Sequence, residues 1–312
     1  MRDPALPPLV SIILLVHGAP ALLEASLASI RTQSCGRWDL LAIDDGTNPA
    51  GSQVVEHAAQ TDPRIRIVKA TGSPPALRNR GASLAHAPLL AFVEAGDLWA
   101  ASRLTDHLAL HRARKGLTGS YARLAFIAPT ASVLVGARRH SRLRRDPLTA
   151  LDVLIGDPAC TLRNAVVSRQ AMLVLGGYDE TLAHAQDHDL LARMIRHGAR
   201  IEGIDAVLTG HRPAACLPVP PGRMQAAWRQ VILRHCEGRE ARRLEALHCR
   251  LIARRVLGSG ERIVHALPAA WRGMRIDARS FCGGWRASGG LALACLATLA
   301  LPSGLRRRLL TR

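Results

Sequence analysis

The chain has 312 residues, 48% of them hydrophobic and 21% charged, with a mean hydropathy of +0.07. This composition excludes a disordered chain and leaves room for one full α/β domain with an appendage, or for two small domains. The 42 basic residues, all arginine except Lys69 and Lys115, outnumber 24 acidic ones unevenly: residues 1–100 carry a net −1, 101–222 a net +6 and 223–312 a net +13. The last segment calls for an anionic partner, either nucleic acid or an acidic lipid surface. With ten aromatic residues and no nucleic-acid module in the chain, nucleic acid is the weaker of the two. Seven cysteines, odd in number and without a CxxC pair, fit a reducing compartment rather than a disulfide framework or a zinc cluster.

Residues 9–16 are an apolar run of strand length that stops at His17-Gly18. A signal peptide is the competing reading, but Asp3 offsets Arg2 and prolines 4, 7 and 8 interrupt the run, which favours a buried strand. Residues 21–30 place Leu22, Leu23, Leu27 and Ile30 at helical spacing. A second strand at 40–43 closes on Asp44-Asp45-Gly46-Thr47, a helix follows at 53–59, and a third strand spans 65–68. Residues 76–85 read as a helix, and 89–93 as a fourth strand ending in Glu94-Ala95-Gly96-Asp97. Strands apolar throughout are buried on both faces, and helices between them imply right-handed parallel crossovers. The fold class is therefore α/β, an open doubly wound sheet.

Such sheets bind ligands beyond the carboxyl ends of their strands. Two of the three strand ends here are acidic clusters beside glycine, suited to a divalent cation or to ribose and base donors. An Asp-Gly after a strand is also an ordinary turn, and either cluster alone reads that way.

These segments, in this order, resemble the nucleotide-sugar half of the glycosyltransferase family 2 enzymes of GT-A fold. Val10-Ser11-Ile12-Ile13, Ile43-Asp44-Asp45-Gly46-Thr47, Asp62-Pro63-Arg64-Ile65-Arg66, Leu77-Arg78-Asn79-Arg80-Gly81 and Phe92 through Trp99 follow that family's donor side. Gly176-Gly177-Tyr178-Asp179-Glu180 and Gln186-Asp187-His188-Asp189-Leu190 follow its acceptor side, and the likeness covers about residues 9–212. It implies a mostly parallel GT-A sheet over 1–212; residues 213–312 lie beyond the likeness and read, from their charge and spacing, as a basic helical extension. It also implies transfer of a sugar from a nucleotide-diphosphate donor to an acceptor hydroxyl, with inversion, in the synthesis of cell-envelope polysaccharide or glycolipid.

By the same resemblance, Val16, His17, Asp44, Asp45, Glu94 and Ala95 bind the nucleotide sugar, with Arg78 or Arg80 near the phosphates, and Asp187 is the general base. Gly177, Tyr178, Asp179, Gln186 and His188 fall on the acceptor side, a glycan or lipid-linked molecule. A divalent cation, Mg2+ or Mn2+, is implied as cofactor. Three places depart from the family pattern. His17-Gly18 replaces Tyr-Asn, Gln186 replaces an acid, and Glu94 and Gly96 stand at the two aspartates of D-x-D, so Asp97 becomes the metal ligand. The alternative is a non-catalytic basic binding protein, a pseudo-glycosyltransferase on a membrane or nucleic acid.

The remaining features are plainer. His184 and His188 are four apart, but no Glu at 185 and no third ligand accompany them, which argues against zinc. Leu190, Leu191, Met194 and Ile195 recur at helical spacing and read as core. Arg138, Arg139, Arg142, Arg144 and Arg145 read as a solvated loop or as a face for a charged acceptor, and Arg212 as a loop residue or a donor contact. Proline-rich residues 213–222 mark a boundary, and 224–232 and 240–256 read as helices. The apolar stretch 290–302 is too short to span a bilayer, and with Arg306, Arg307 and Arg308 after it suits either a membrane interface or packing on the enzyme domain. The expected location is the cytoplasm, peripheral on the inner face of the cell membrane.

Overall fold

A computed structural model describes residues 6–131, 139–144, 146–155, 160–212, 219–258 and 263–283. The predicted segment 290–302, the arginines at 306–308, and Arg138 and Arg145 lie outside these residues. The chain divides into two compact units, the first being residues 1–153, 157–181 and 186–217 and the second 154–156, 182–185 and 218–312.

In the first unit, strands β1 (Val10–Leu15), β2 (Trp38–Asp44), β3 (Ile65–Lys69) and β4 (Leu89–Val93) pair in parallel in the order β3-β2-β1-β4. Helices α1 (Pro20–Arg31), α2 (Pro49–Thr61) and α3 (Pro74–Leu84) connect them. Each of these helices begins on proline, whose fixed φ suits the first turn and whose missing N–H would have had no partner there. Asn48 caps α2, its side chain accepting from the Gly51 N–H at 3.1 Å.

Every residue of β1 is buried, and alternate side chains feed two cores. Val10, Ile12 and Leu14 pack with Leu23, Leu27 and Ile30 of α1 and Val55 of α2. Ile13 and Leu15 pack with Leu77 and Ala82 of α3 on the other face. Gly81 permits that approach, since a Cβ there would lie 2.8 Å from Ile13 Cγ2. Helices thus cover both faces, as the apolar runs predict.

Beyond β4 the sheet turns mixed. β8 (Ala165–Ser168) pairs antiparallel with β4, and β6 (Gly119–Phe126) antiparallel with β8. β9 (Ile201–His211) runs parallel to β6, with a register shift near Arg123. Two short strands complete the sheet, β5 (Leu98–Trp99) against β9 and β7 (Arg139–His140) against β6. Helices α4 (Arg103–Ala113), α5 (Ala150–Leu154), α6 (Arg169–Val174) and α7 (Gln186–Arg196) fill the intervals. Leu190, Leu191 and Met194 of α7 are core residues, as their spacing predicts.

Among the described residues the second unit holds three α-helices, α8 (Pro221–His235), α9 (Gly238–Gly258) and α10 (Leu267–Cys282). They contain the predicted helices 224–232 and 240–256. Trp228 stacks on His248 at 3.7 Å between ring centres, and the buried His248 donates to the Leu154 carbonyl at 2.8 Å. None of the five cysteines among the described residues, including buried Cys160, Cys236 and Cys249, is in a disulfide.

Candidate active site

Glu94, just past β4, anchors a cluster of charges. Its Oε1 accepts from Arg78 Nη2 at 2.5 Å and its Oε2 lies 3.0 Å from His17 Nε2, which follows β1. Burial works against its charge, yet Arg78, His17 and Arg163 together hold the carboxyl well below the usual carboxylate range. Arg78, on α3, also lies 3.4 Å from Gln186 Oε1 and 5.7 Å above the Tyr178 ring. Its burial disfavours the cation, but Glu94, Tyr178 and Asp187 more than offset that, so its proton affinity rises.

Asp187 stands in the first turn of α7 with both oxygens engaged. Oδ1 accepts from the Tyr178 hydroxyl at 3.1 Å and Oδ2 from the Leu162 N–H at 3.2 Å. Burial, with Glu94 adding to it, pushes its pKa up against Arg78, Arg163 and the Tyr178 bond. Asp189 lies 200° further round the helix and so faces the other way. It is fully buried and pairs with Arg193 Nε at 2.8 Å. The Arg193 guanidinium in turn donates to the carbonyls of Leu175 at 2.9 Å and Gly177 at 2.6 Å.

Asn79, next to Arg78, clamps the backbone of Tyr178. Its Oδ1 accepts from the Tyr178 N–H at 2.7 Å and its Nδ2 donates to the Tyr178 carbonyl at 2.9 Å. That approach requires Gly177, where a Cβ would lie 2.3 Å from Asn79 Oδ1. Asp179 caps its own turn, accepting from the N–H and hydroxyl of Thr181 at 2.8 and 2.6 Å, and His188, next to Asp187 in the chain, is half-buried.

Asp97 is buried at the start of β5's approach, after Gly96, whose φ of +92° a residue with a Cβ adopts only with strain. Asp97 Oδ1 accepts from Arg163 Nη1 at 3.0 Å, and His211 Nδ1 lies 3.2 Å from the same oxygen. Arg163 Nη1 is 2.5 Å from that ring nitrogen; because a guanidinium only donates, the nitrogen accepts. Among the described residues Asp97 Oδ2 is buried without a hydrogen-bond partner, a state that costs about 1–3 kcal/mol unless a ligand relieves it. An oxygen of this kind fits a hard divalent cation. No group of three His, Cys, Asp or Glu side chains capable of holding a metal occurs among the described residues. Asp97 is the residue that would offer such an ion a carboxylate oxygen.

The other predicted positions sit apart from this cluster. Asp44, at the end of β2, is buried against Lys69 Nζ at 2.7 Å and accepts from the Gly46 N–H at 2.9 Å. Burial opposes its charge, but those bonds and one from Ser52 lower its pKa. Asp45 accepts from the Thr47 N–H at 2.9 Å, and Asn48 Nδ2 donates to the Gly18 carbonyl at 2.9 Å, tying the β1 and β2 ends together. Val16 is buried in the core and Ala95 packs with its Cβ against the Gly18 turn. Arg80 is exposed, 200° round α3 from Arg78, and joins none of these bonds among the described residues. Arg212 is buried and donates to the Gly96 carbonyl at 2.8 Å and the Pro129 carbonyl at 2.5 Å, which gives it a bracing role in the loops. Arg163 carries no sequence motif, yet its charge acts on Glu94, Asp97 and Asp187 alike.

A family described as "Glycosyltransferase like family 2" matches residues 11–212, nearly two thirds of the chain and all of the elements that build this cluster. The chain belongs to that family. Among its curated relatives, the succinoglycan biosynthesis protein ExoU of Rhizobium meliloti is 27% identical over 194 residues, 55% of this chain and 54% of ExoU. The O-antigen biosynthesis protein RfbC of Myxococcus xanthus is 28% identical over 201 residues, 60% of this chain and 14% of RfbC. The chain thus spans about half the length of ExoU and less of RfbC.

Two solved structures share the fold. S. aureus TarS, residues 1–349 in complex with UDP-GlcNAc, superimposes with a TM-score of 0.61 at 14% identity, over 96% of this chain and 90% of that one. The mannosyltransferase PcManGT from Pyrobaculum calidifontis, in complex with GDP-Man and Mn2+, gives 0.58 at 16% identity, over 100% of this chain and 86% of that one. The family 2 fold of this chain is accordingly GT-A.

Proposed function

We propose that this family 2 chain transfers a sugar from a nucleoside-diphosphate sugar to a hydroxyl of a glycan or lipid-linked acceptor, with inversion, in the synthesis of a cell-envelope polysaccharide or glycolipid. The observation that carries the reading is the meeting of Asp187 with the Glu94–Arg78–Arg163 charges at the strand-end rim where α/β sheets bind ligands. The names of ExoU and RfbC, and the donors bound by TarS and PcManGT, support it.

The chemistry is an in-line displacement. The acceptor oxygen attacks the anomeric carbon, the bond from that carbon to the diphosphate oxygen breaks, and the diphosphate leaves with the electron pair. The acceptor's proton passes to Asp187. Burial makes Asp187 the stronger base, while the Tyr178 hydroxyl and the Leu162 N–H aim its two oxygens. Arg78 and Arg163 place fixed positive charge where the leaving diphosphate becomes more negative, at no cost in reorganisation during the step. We assign His17, Asp44, Asp45, Ala95 and the backbone of Val16, whose side chain lies in the core, to the donor side, and Gly177, Tyr178, Asp179, Gln186 and His188 to the acceptor side. Asp97, through Oδ2, would hold Mg2+ or Mn2+, which when bound neutralises charge on the diphosphate.

Asp187→Asn keeps the size and the hydrogen-bonding oxygen but removes the base. Donor consumption and product formation should fall by about 10²–10⁴-fold, with donor affinity measured by calorimetry unchanged. Equal consumption by the variant and the native protein refutes the assignment.

A further inference from the structure

One side of α10 packs inward. Ala269 and Gly273 are buried, and a Cβ on Gly273 would lie 2.3 Å from Phe281 Cδ2 and 2.8 Å from Cys249 Cβ. The opposite side carries Leu267, Trp271 and Met274, at 52%, 68% and 44% exposure. At 100° per residue these three fall within a stripe about 60° wide. Val264, 47% exposed, precedes them in the adjoining turn, and exposed Arg275 stands one helical turn after Trp271. Single exposed apolar side chains need no explanation, but a continuous stripe with a tryptophan at its centre marks a contact surface.

A groove between α8 and α10 lies along the same helix, lined by Gln225, Arg229, Leu233, Arg234 and Arg272. Arg272 and Arg229 share a single carboxylate, Glu245, at 2.6 and 3.6 Å. Three guanidinium groups therefore line the groove, two of them sharing one carboxylate, and Leu233 is 49% exposed at its edge. The surrounding residues 223–312 carry a net +13. An anionic bilayer satisfies both features at once, because phosphates match guanidinium groups while tryptophan, leucine and methionine enter the acyl boundary. Among the described residues no helix is long and apolar enough to cross a membrane.

We propose that this face of the helical unit docks on the anionic cytoplasmic leaflet, with headgroup phosphates in the arginine groove and the Leu267–Trp271–Met274 stripe in the interface. The inference concerns the second unit alone and does not depend on the transfer chemistry. It is tested by co-sedimenting the full chain with vesicles of phosphatidylglycerol in phosphatidylcholine, and with pure phosphatidylcholine, at low and high salt. Binding to the anionic vesicles alone, weakened by salt, is expected. Arg234→Ser should lower partitioning about fivefold and Trp271→Ala about tenfold, with melting temperatures unchanged because neither substitution opens the core. Equal binding to neutral vesicles, or binding undiminished in both variants, overturns the proposal. So does a dimer in solution that Trp271→Glu dissolves, since a second copy would then own the stripe.

Discussion

The Tyr178 hydroxyl stabilises the Asp187 carboxylate and so restrains the upward push that burial gives its proton affinity. In Tyr178→Phe the ring keeps its edge contact with Phe92, 5.6 Å between centres, but the donor is gone. Asp187 then takes up its proton at higher pH, and a base must be unprotonated to act. The acidic limb of the rate profile should move to higher pH, so that at a fixed pH on that limb the rate falls about three- to tenfold. A limb that stays in place would show that the hydroxyl does not touch the base. Asp187, Glu94, Arg78 and Tyr178 were legible because each lies in a short motif beside a strand or helix end. Arg163 was not, being one of 40 arginines, in a single turn of 3-10 helix with no local signal. The roles of Arg78 and Arg80 could not be separated before the phase of α3 was known.

At the scale of elements, α4 meets β6 through a buried polar network. Ser120 lies 2.7 Å from His107 Nδ1 and 3.1 Å from His111 Nε2. One hydroxyl can donate to one ring and accept from the other. Beside them Arg103 is buried 4.1 Å above the Trp99 ring, and burial pulls its pKa down to about 9. Burial first, then the charges of Arg103 and His111, hold His107 neutral well below the ordinary histidine range. The sign follows from proton counting: the unfolded chain binds a proton at His107 near pH 6.5 and the folded chain does not. The stability this network gives is therefore full above that value and lost as the pH falls below it. The melting temperature should drop between pH 7.5 and 5.5, and drop less in His107→Gln. Equal slopes for the two proteins would exclude His107 as the cause.

Across the whole molecule, β1, β2 and β4 were readable because strands buried on both faces are largely apolar along their length, and the edge strand β3, with exposed Arg66 and Lys69, by the isoleucines and valine it keeps. The mixed half was not, for β8 has only four residues, β9 mixes apolar and polar positions with no period of two, and β5 pairs with a strand about a hundred residues away. Such long-range pairing leaves no local trace. The stripe on α10 has the spacing of any packed helix, and only its exposure separates a docking face from a core face. A global consequence attaches to the two acids of α7. Asp189 holds Arg193 against the carbonyls of Leu175 and Gly177, so Asp189→Asn should unsettle that turn and cost about 3 kcal/mol of folding free energy. Both acid-to-amide variants would turn over poorly, but only the one at 189 would melt early. A mutational survey scored by turnover alone would thus credit two carboxylates with chemistry, and a calorimeter would return one of them to the scaffold.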